Sequence, residues 1–181
     1  MGYHGTMRSN IVLLDCGDTL VDEATEIKDH RGAVVEADLI PGAAEMVAEL
    51  VRRGYRLGLV ADGPTATFRN VLGHYGLWDA FEAWAISEEV GVEKPDARLF
   101  TTALDSLGVK PEDYRFIPMV GNNLERDVVG ANQLGLVSVW LSWSPRRRHV
   151  PLVPLEVPQH TIATPLGLLP LLDRWSRQDR E

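Results

Sequence analysis

Leu13-Leu14-Asp15-Cys16-Gly17-Asp18-Thr19-Leu20 is the stretch whose reading decides the fold. The apolar run Ile11 to Leu14 ends abruptly in an aspartate, and a glycine-containing turn, a threonine and a second apolar pair follow. This is the pattern of a buried strand that delivers one carboxylate to its C-terminal tip and then reverses. In open α/β sheets that tip is where ligands bind.

The chain has 181 residues, enough for one domain with a sizeable core, and its 45% hydrophobic and 24% charged content is that of a globular protein. A net charge of −8 argues against nucleic-acid binding, which wants a basic face. Cys16 is the only cysteine, so no internal disulfide forms and a reducing compartment fits. Beside Asp15 it reads as a buried structural thiol rather than a reactive one. No apolar run approaches the ~20 residues that cross a membrane, and residues 1–9 lack the apolar stretch of a secretory signal. The expectation is a soluble, cytoplasmic protein.

Outward from the opening strand (10–15), residues 1–9 read as a loose leader and 10–181 as a single α/β domain. Residues 16–40 show no sustained period and suit a flap or short hairpin. Pro41 opens a helix with Ala43, Met46, Val47, Leu50 and Val51 at helical spacing, ended by Gly54. A strand at 55–60 runs into Ala61-Asp62-Gly63, and Pro64 starts a helix stopped by Gly76. A third strand is expected near 83–87, and a helix capped by Asp96 ends at Gly108. A fourth strand is expected at 115–120, although Pro118 lacks a ladder donor. Gly121-Asn122-Asn123 turns into a helix to Leu134. A strand at 137–141, a loop at 142–158, a short strand near 160–163 and a helix near 165–176 complete the chain. Strands alternating with helices predict a doubly wound parallel sheet in three α/β/α layers.

Four polar turns then share one sheet edge: Asp15–Thr19, Ala61–Gly63, Lys94-Pro95 and Gly121–Asp127. They supply a carboxylate, a glycine turn at a helix start, a lysine, and amides with an acid. A carboxylate nucleophile, a Mg²⁺ ion and a positioned lysine suffice for phosphoryl transfer. Backbone N–H groups at the helix start after Asp62 would help to bind phosphate.

Over residues 10–141 these turns resemble the motifs of the haloacid dehalogenase-like hydrolases, most of which are Mg²⁺-dependent phosphatases. "LLDCGDTL" resembles the first motif, usually Asp-x-Asp-Gly-Thr-Leu. "YRLGLVADG" is similar to the second, "SEEVGVEKPDARLF" to the third with its lysine, and "VGNNLERDVVGANQLGL" to the fourth. The resemblance implies Asp15 as nucleophile, Lys94 as phosphate clamp, and Asp15, the Gly17 carbonyl, Asn122 and Asp127 around Mg²⁺. It implies a phosphate site at Ala61, Asp62, Gly63 and Lys94.

Three chemical positions depart from the family pattern. Gly17 stands where the family has its acid–base aspartate, whose catalysis is worth roughly 10²–10⁴-fold. Ala61 replaces a phosphate-binding hydroxyl, with Asp62 following in place of asparagine, and Asn122 replaces an acidic metal ligand. Asp18 and Asp62 are candidate proton carriers in its stead. Each of these side chains also has a plainer reading, as a turn former, helix cap or solvated charge. The run Arg146-Arg147-Arg148-His149 is placed to reach a substrate phosphate or an acidic partner, with a solvated charge cluster as the plainer reading, and Trp140 and Trp143 suit core and rim packing.

The intervals from Asp15 to Ala61 and from Ala61 to Lys94 leave no room for the family's cap domain. Capless relatives act on larger substrates or borrow cover from a neighbouring subunit, as in a homodimer, so a phosphorylated small molecule or a larger phosphorylated substrate is expected, with no nucleic acid and no membrane. Residues 16–40 and 142–158 are local candidates for partial cover. Beside the phosphatase reading stands a non-catalytic binding protein that keeps the fold. A metal-free dehalogenase lacks its helical cap and its active-site arginine here.

Overall fold

The protein is described at residues 10–178 of a computed structural model, so the expected leader at 1–9 lies outside the described residues. In chain order the elements are β1 (Ile11–Leu14), β2 (Ile27–Lys28), β3 (Val34–Glu36), α1 (Ala43–Arg52), β4 (Arg56–Ala61), α2 (Thr65–His74), β5 (Phe81–Ile86), α3 (Ser87–Val90), α4 (Ala97–Ser106), β6 (Pro118–Gly121), α5 (Val129–Leu134), β7 (Val137–Leu141), β8 (His160–Ile162) and α6 (Leu168–Gln178). Six strands form one sheet in the order β5-β4-β1-β6-β7-β8, and every pairing in it is parallel. The order reverses between β1 and β6, which opens a crevice beyond their C-terminal tips.

β1 is buried along its whole length because both sheet faces are covered. Val12 and Leu14 point into a core shared with Met46, Leu50, Phe68 and Leu72 of α1 and α2 and with Leu168 and Leu171 of α6. Leu13 and Ile11 point the other way, against Leu99, Phe100, Leu104 and Ala131 of α4 and α5. That alternation is the period-2 pleat of a strand sandwiched between helical layers. The architecture is the three-layer doubly wound sheet, with no substantial cap inserted among the described residues.

Between β1 and α1 lies a two-stranded antiparallel hairpin, β2–β3. It is tied to α2: the Val34 N–H donates to Thr67 Oγ1 (3.0 Å), and Asn70 Nδ2 donates to the Val34 carbonyl (2.9 Å). Two of the boundaries that differ from expectation have a local cause. β6 starts at Pro118 rather than 115, because Pro111–Phe116 coils into tight 3₁₀ turns; the proline is the first strand residue, where a missing donor is tolerated. The helix after Asn123 begins as a wide π-turn over Leu124–Val128 before α5, with the Asn123 side chain accepting the Glu125 N–H at 3.0 Å.

Candidate active site

Three neighbouring strand tips place the site. β1 presents Asp15, β4 leads into Asp62, and β6 ends in Gly121-Asn122. They border a cleft of about 410 Å³, in the range of small-molecule sites. The Asp15 N–H donates to the Val120 carbonyl at 2.9 Å, so the sheet ladder itself fixes the carboxylate's root.

Lys94 reaches this point from the loop after α3. Its Nζ donates to Asp15 Oδ1 (2.6 Å), Asp127 Oδ1 (2.8 Å) and the Val60 carbonyl (3.0 Å). Burial opposes the ammonium, but Asp127 and Asp15 outweigh it and raise its pKa above the ordinary lysine value. Burial pushes the Asp127 carboxyl up to about 6, with Lys94 pulling it down and Asp15 adding to the rise. Asp127 Oδ2 accepts the Asn123 N–H at 2.9 Å. Its carboxylate fits only because Gly121 has no side chain: a Cβ there would lie 2.2 Å from Asp127 Cγ.

Asn122 Nδ2 donates to Asp15 Oδ2 (3.1 Å), Thr19 Oγ1 (3.1 Å) and the Gly17 carbonyl. Three oxygens thus converge on one electropositive group. Thr19 Oγ1 donates to Asp15 Oδ2 at 3.0 Å, which orients the carboxylate. The groups gathered around Asn122 Nδ2 are oxygens, the hard set preferred by Mg²⁺, while Asn122 Oδ1 is turned to Arg147. Among the described residues no three His, Cys, Asp or Glu side chains gather as a metal-binding group. Mg²⁺ fits such a site, since it binds one or two carboxylates and keeps several waters. Charge points the same way: the cleft is lined by five carboxylates (Asp15, Glu23, Glu26, Asp62, Asp127) and four cationic side chains (Lys28, Lys94, Arg126, Arg147). A dianion entering there would meet a lining with no excess of positive charge.

Asp62 lines the cleft with both oxygens engaged. Oδ1 accepts the Lys94 N–H (2.9 Å) and Oδ2 pairs with Arg126 (2.8 Å), which supplies its counter-charge. Gly63 also lines the cleft, but its N–H donates to Ser87 Oγ (2.9 Å) and that of Thr65 to Glu88 (2.8 Å), while Pro64 has none. The expected amide cradle after Asp62 is therefore taken up internally, a correction to that reading. Ala61 is wholly buried and does not line the cleft.

Asp18 is corrected as well. It adopts a left-handed backbone (φ 53°) and is fully buried, turned away from the cleft. Its oxygens accept from Ser144 Oγ (2.8 Å), the Glu23 N–H (3.1 Å) and Arg146. Burial opposes its ionisation, yet Arg146, Ser144 and the Glu23 N–H outweigh it and hold its pKa below the ordinary 3.8.

The arginine run is likewise not a solvated cluster. Arg146 holds Asp18 and Asp22, Arg147 reaches Glu23 (2.7 Å) and Asn122 Oδ1 (3.2 Å), and Arg148 pairs with Glu125 (2.6 Å) and Glu156 (2.7 Å). It clamps the 142–158 loop over the turn after β1. Trp140 is buried, with Nε1 donating to the Asn122 carbonyl at 2.9 Å, and so steadies the fourth turn. Cys16 is buried too, and burial with Asp15 nearby pushes its thiol pKa well up, as suits an inert structural thiol.

Glu23 and Arg126 are the site residues that sequence reasoning passed over, and Arg147 is one that it favoured as solvated. Glu23 packs its carboxylate against Gly17: a Cβ on Gly17 would lie 2.2 Å from Glu23 Oε1. Burial raises its pKa, with Arg147 opposing and Asp18 and Asp15 reinforcing the rise. The available signal was the glycine itself, since a side chain missing from a crowded turn leaves a space for a neighbour.

Residues 17–135 match the family model described as haloacid dehalogenase-like hydrolase. The chain is 33% identical over 143 residues to a glyceraldehyde 3-phosphate phosphatase from Pyrococcus furiosus, across 78% of this chain and 58% of that protein. It is 43% identical over 103 residues to a phosphoserine phosphatase from Thermus thermophilus, across 57% of this chain and 40% of that one. The chain thus spans about half the length of the curated relatives it matches. Among solved structures, a HAD phosphatase from Thermococcus onnurineus superposes with a TM-score of 0.64 at 28% identity, covering 75% of this chain and 59% of that one. With four turns in family order at one sheet edge and a matching model over most of its length, the chain belongs to the haloacid dehalogenase-like hydrolases.

Proposed function

We propose that this protein is a Mg²⁺-dependent phosphatase that hydrolyses a phosphate monoester through an aspartyl-phosphate on Asp15. The observation that carries the reading is the Asp15–Lys94–Asp127 triad, in which a buried, charged lysine positions one oxygen of a strand-tip carboxylate. Phosphatases among the partial relatives support the same chemistry. Asp15 Oδ attacks phosphorus, and Lys94 offsets charge on the transferring group. Asp15, the Gly17 carbonyl and Asp127 would hold Mg²⁺, joined by Asn122 through Oδ1 once its amide turns over from Arg147, and the ion would supply the charge neutralisation that this nearly balanced cleft lacks. Arg126 keeps Asp62 from repelling phosphate.

The substrate is a phosphorylated small molecule or a larger phosphorylated partner, reached across an open cleft with partial cover from the β2–β3 hairpin and the 142–158 loop. Cover from a second copy in a homodimer belongs to the same reading. Among the described residues no helix is long and apolar enough to cross a membrane, and the lone buried Cys16 suits a reducing cytoplasm.

The test is hydrolysis of an aryl phosphate with and without Mg²⁺, in wild type and Asp15→Asn. Mg²⁺-dependent turnover that disappears in the variant is expected, and equal turnover in both proteins contradicts the reading. A second reading, a binding protein that keeps the fold, draws on Gly17 and on the internally spent amides of Gly63 and Thr65. It predicts Mg²⁺ or phosphate binding, seen as a raised melting temperature, with no turnover.

A further inference from the structure

Phosphate-ester hydrolysis through Asp15 needs a second group, one that gives a proton to the departing oxygen and takes one from water. Four other carboxylates line the cleft. Asp62 has one oxygen on the Lys94 N–H and the other on Arg126; Asp127 has one on Lys94 and the other on the Asn123 N–H. Glu26, just before β2, pairs with Lys28 through Oε2 at 3.2 Å and also leaves Oε1 without a bond among the described residues, but it is not the carboxylate packed against Gly17. Glu23 is. Its Oε2 is held by Arg147 at 2.7 Å, whereas Oε1 accepts no hydrogen bond among the described residues.

That free oxygen sits where a side chain on Gly17 would begin, 2.2 Å from the Cβ position, in the same turn as Asp15. Gly17 is not in the left-handed region, so its lack of a side chain is a matter of space and not of backbone strain. Arg147, which aims Glu23, also touches Asn122, itself bonded to Asp15. The carboxylate is thereby tied to the frame that holds the nucleophile.

We propose that Glu23 is the proton-transfer residue of this site, a role that Gly17 cannot fill; the inference rests on the phosphatase reading. In the first step Asp15 Oδ forms a bond to phosphorus, the phosphorus–oxygen bond to the alcohol breaks, and the Glu23 carboxyl gives its proton to the departing oxygen. In the second, the Glu23 carboxylate takes a proton from water as the water oxygen attacks phosphorus. The bond from phosphorus to Asp15 breaks, and inorganic phosphate leaves with Asp15 and protonated Glu23 restored. Water is the only co-reactant.

The experiment compares wild type with Glu23→Gln in Mg²⁺, by quenched-flow on an aryl phosphate and on a simple alkyl phosphate. An aryl leaving group needs little protonation, so the variant should keep a burst of aryl alcohol of about one per enzyme while later turnover falls about 100-fold. On the alkyl ester, formation of the phosphoenzyme should itself slow by about that factor. Adding Gly17→Asp to Glu23→Ala, which clears the space, should return alkyl-ester activity lost in Glu23→Ala alone. A merely structural Glu23 would slow burst and turnover together, and that result, or wild-type turnover on both esters, overturns the inference while leaving the phosphatase reading intact. Neither burst nor turnover in wild type overturns both.

Discussion

Lys94 Nζ lies 2.6 Å from Asp15 Oδ1 and 2.8 Å from Asp127 Oδ1, so one buried ammonium joins the tip of β1 to the turn after β6. Its third donor goes to the Val60 carbonyl, which ties in β4. Three strand tips meet on one side chain. Replacing it strands two buried carboxylates: Lys94→Met should lower unfolding stability by about 3–5 kcal/mol and abolish turnover. Urea denaturation checks it, and a loss well under about 1 kcal/mol would mean that the carboxylates find other partners.

Gly121→Ala should damage the same triad from the opposite side. The added Cβ would lie 2.2 Å from Asp127 Cγ, an atom near the root of a short side chain with little freedom to yield. An overpacking cost of about 1–3 kcal/mol is expected, together with loss of turnover. Full activity in a stable Gly121→Ala protein would show that Asp127 need not sit under Lys94.

Asp18 should act on stability, and do so with a pH signature. Asn accepts the left-handed backbone as readily as Asp, so Asp18→Asn isolates the charge. It should cost about 1–3 kcal/mol near neutral pH. Because the folded-state pKa is held below 3.8, the wild-type advantage is complete above that value and is lost as pH falls through the folded pKa. Denaturation curves of the two proteins should converge toward low pH, and a pH-independent gap would contradict the assignment.

Asp62→Asn should tighten the grip on phosphate. The amide oxygen can still accept the Lys94 N–H, while a negative charge leaves the cleft. Inorganic phosphate should inhibit about three- to tenfold more strongly, equivalent to about 0.6–1.4 kcal/mol. The gain comes from releasing Arg126 from its carboxylate partner, and no change would mean that the freed guanidinium turns away from the phosphate position.

Much of this was legible in the chain. Ile11–Leu14 ending in Asp15, the 3.6-residue spacing of Ala43, Met46, Val47 and Leu50, and Gly135 after Leu134 (φ 72°) are local signals obeyed by the fold. Asp15, Lys94 and Asp127 converge because parallel strands end at one edge, so motif order alone sufficed to find them. What escaped depends on side-chain direction. Asp18 lies in the right turn yet points to Ser144, through a left-handed backbone that its neighbours do not announce. The spending of the Gly63 and Thr65 amides on Ser87 and Glu88 is a contact between distant turns. Arg146–Arg148 looked solvated because their carboxylate partners lie as far as 128 residues away.

The central claim is that Asp15 carries the phosphoryl group. Acid-quenching the enzyme during turnover of an aryl phosphate in Mg²⁺, followed by peptide mass spectrometry, tests it most directly. One added phosphoryl group is expected on the peptide bearing Asp15, sensitive to hydroxylamine as an acyl phosphate is, and absent from Asp15→Asn. Turnover with no such adduct while Asp15→Asn remains active, or an adduct on another residue, would contradict it.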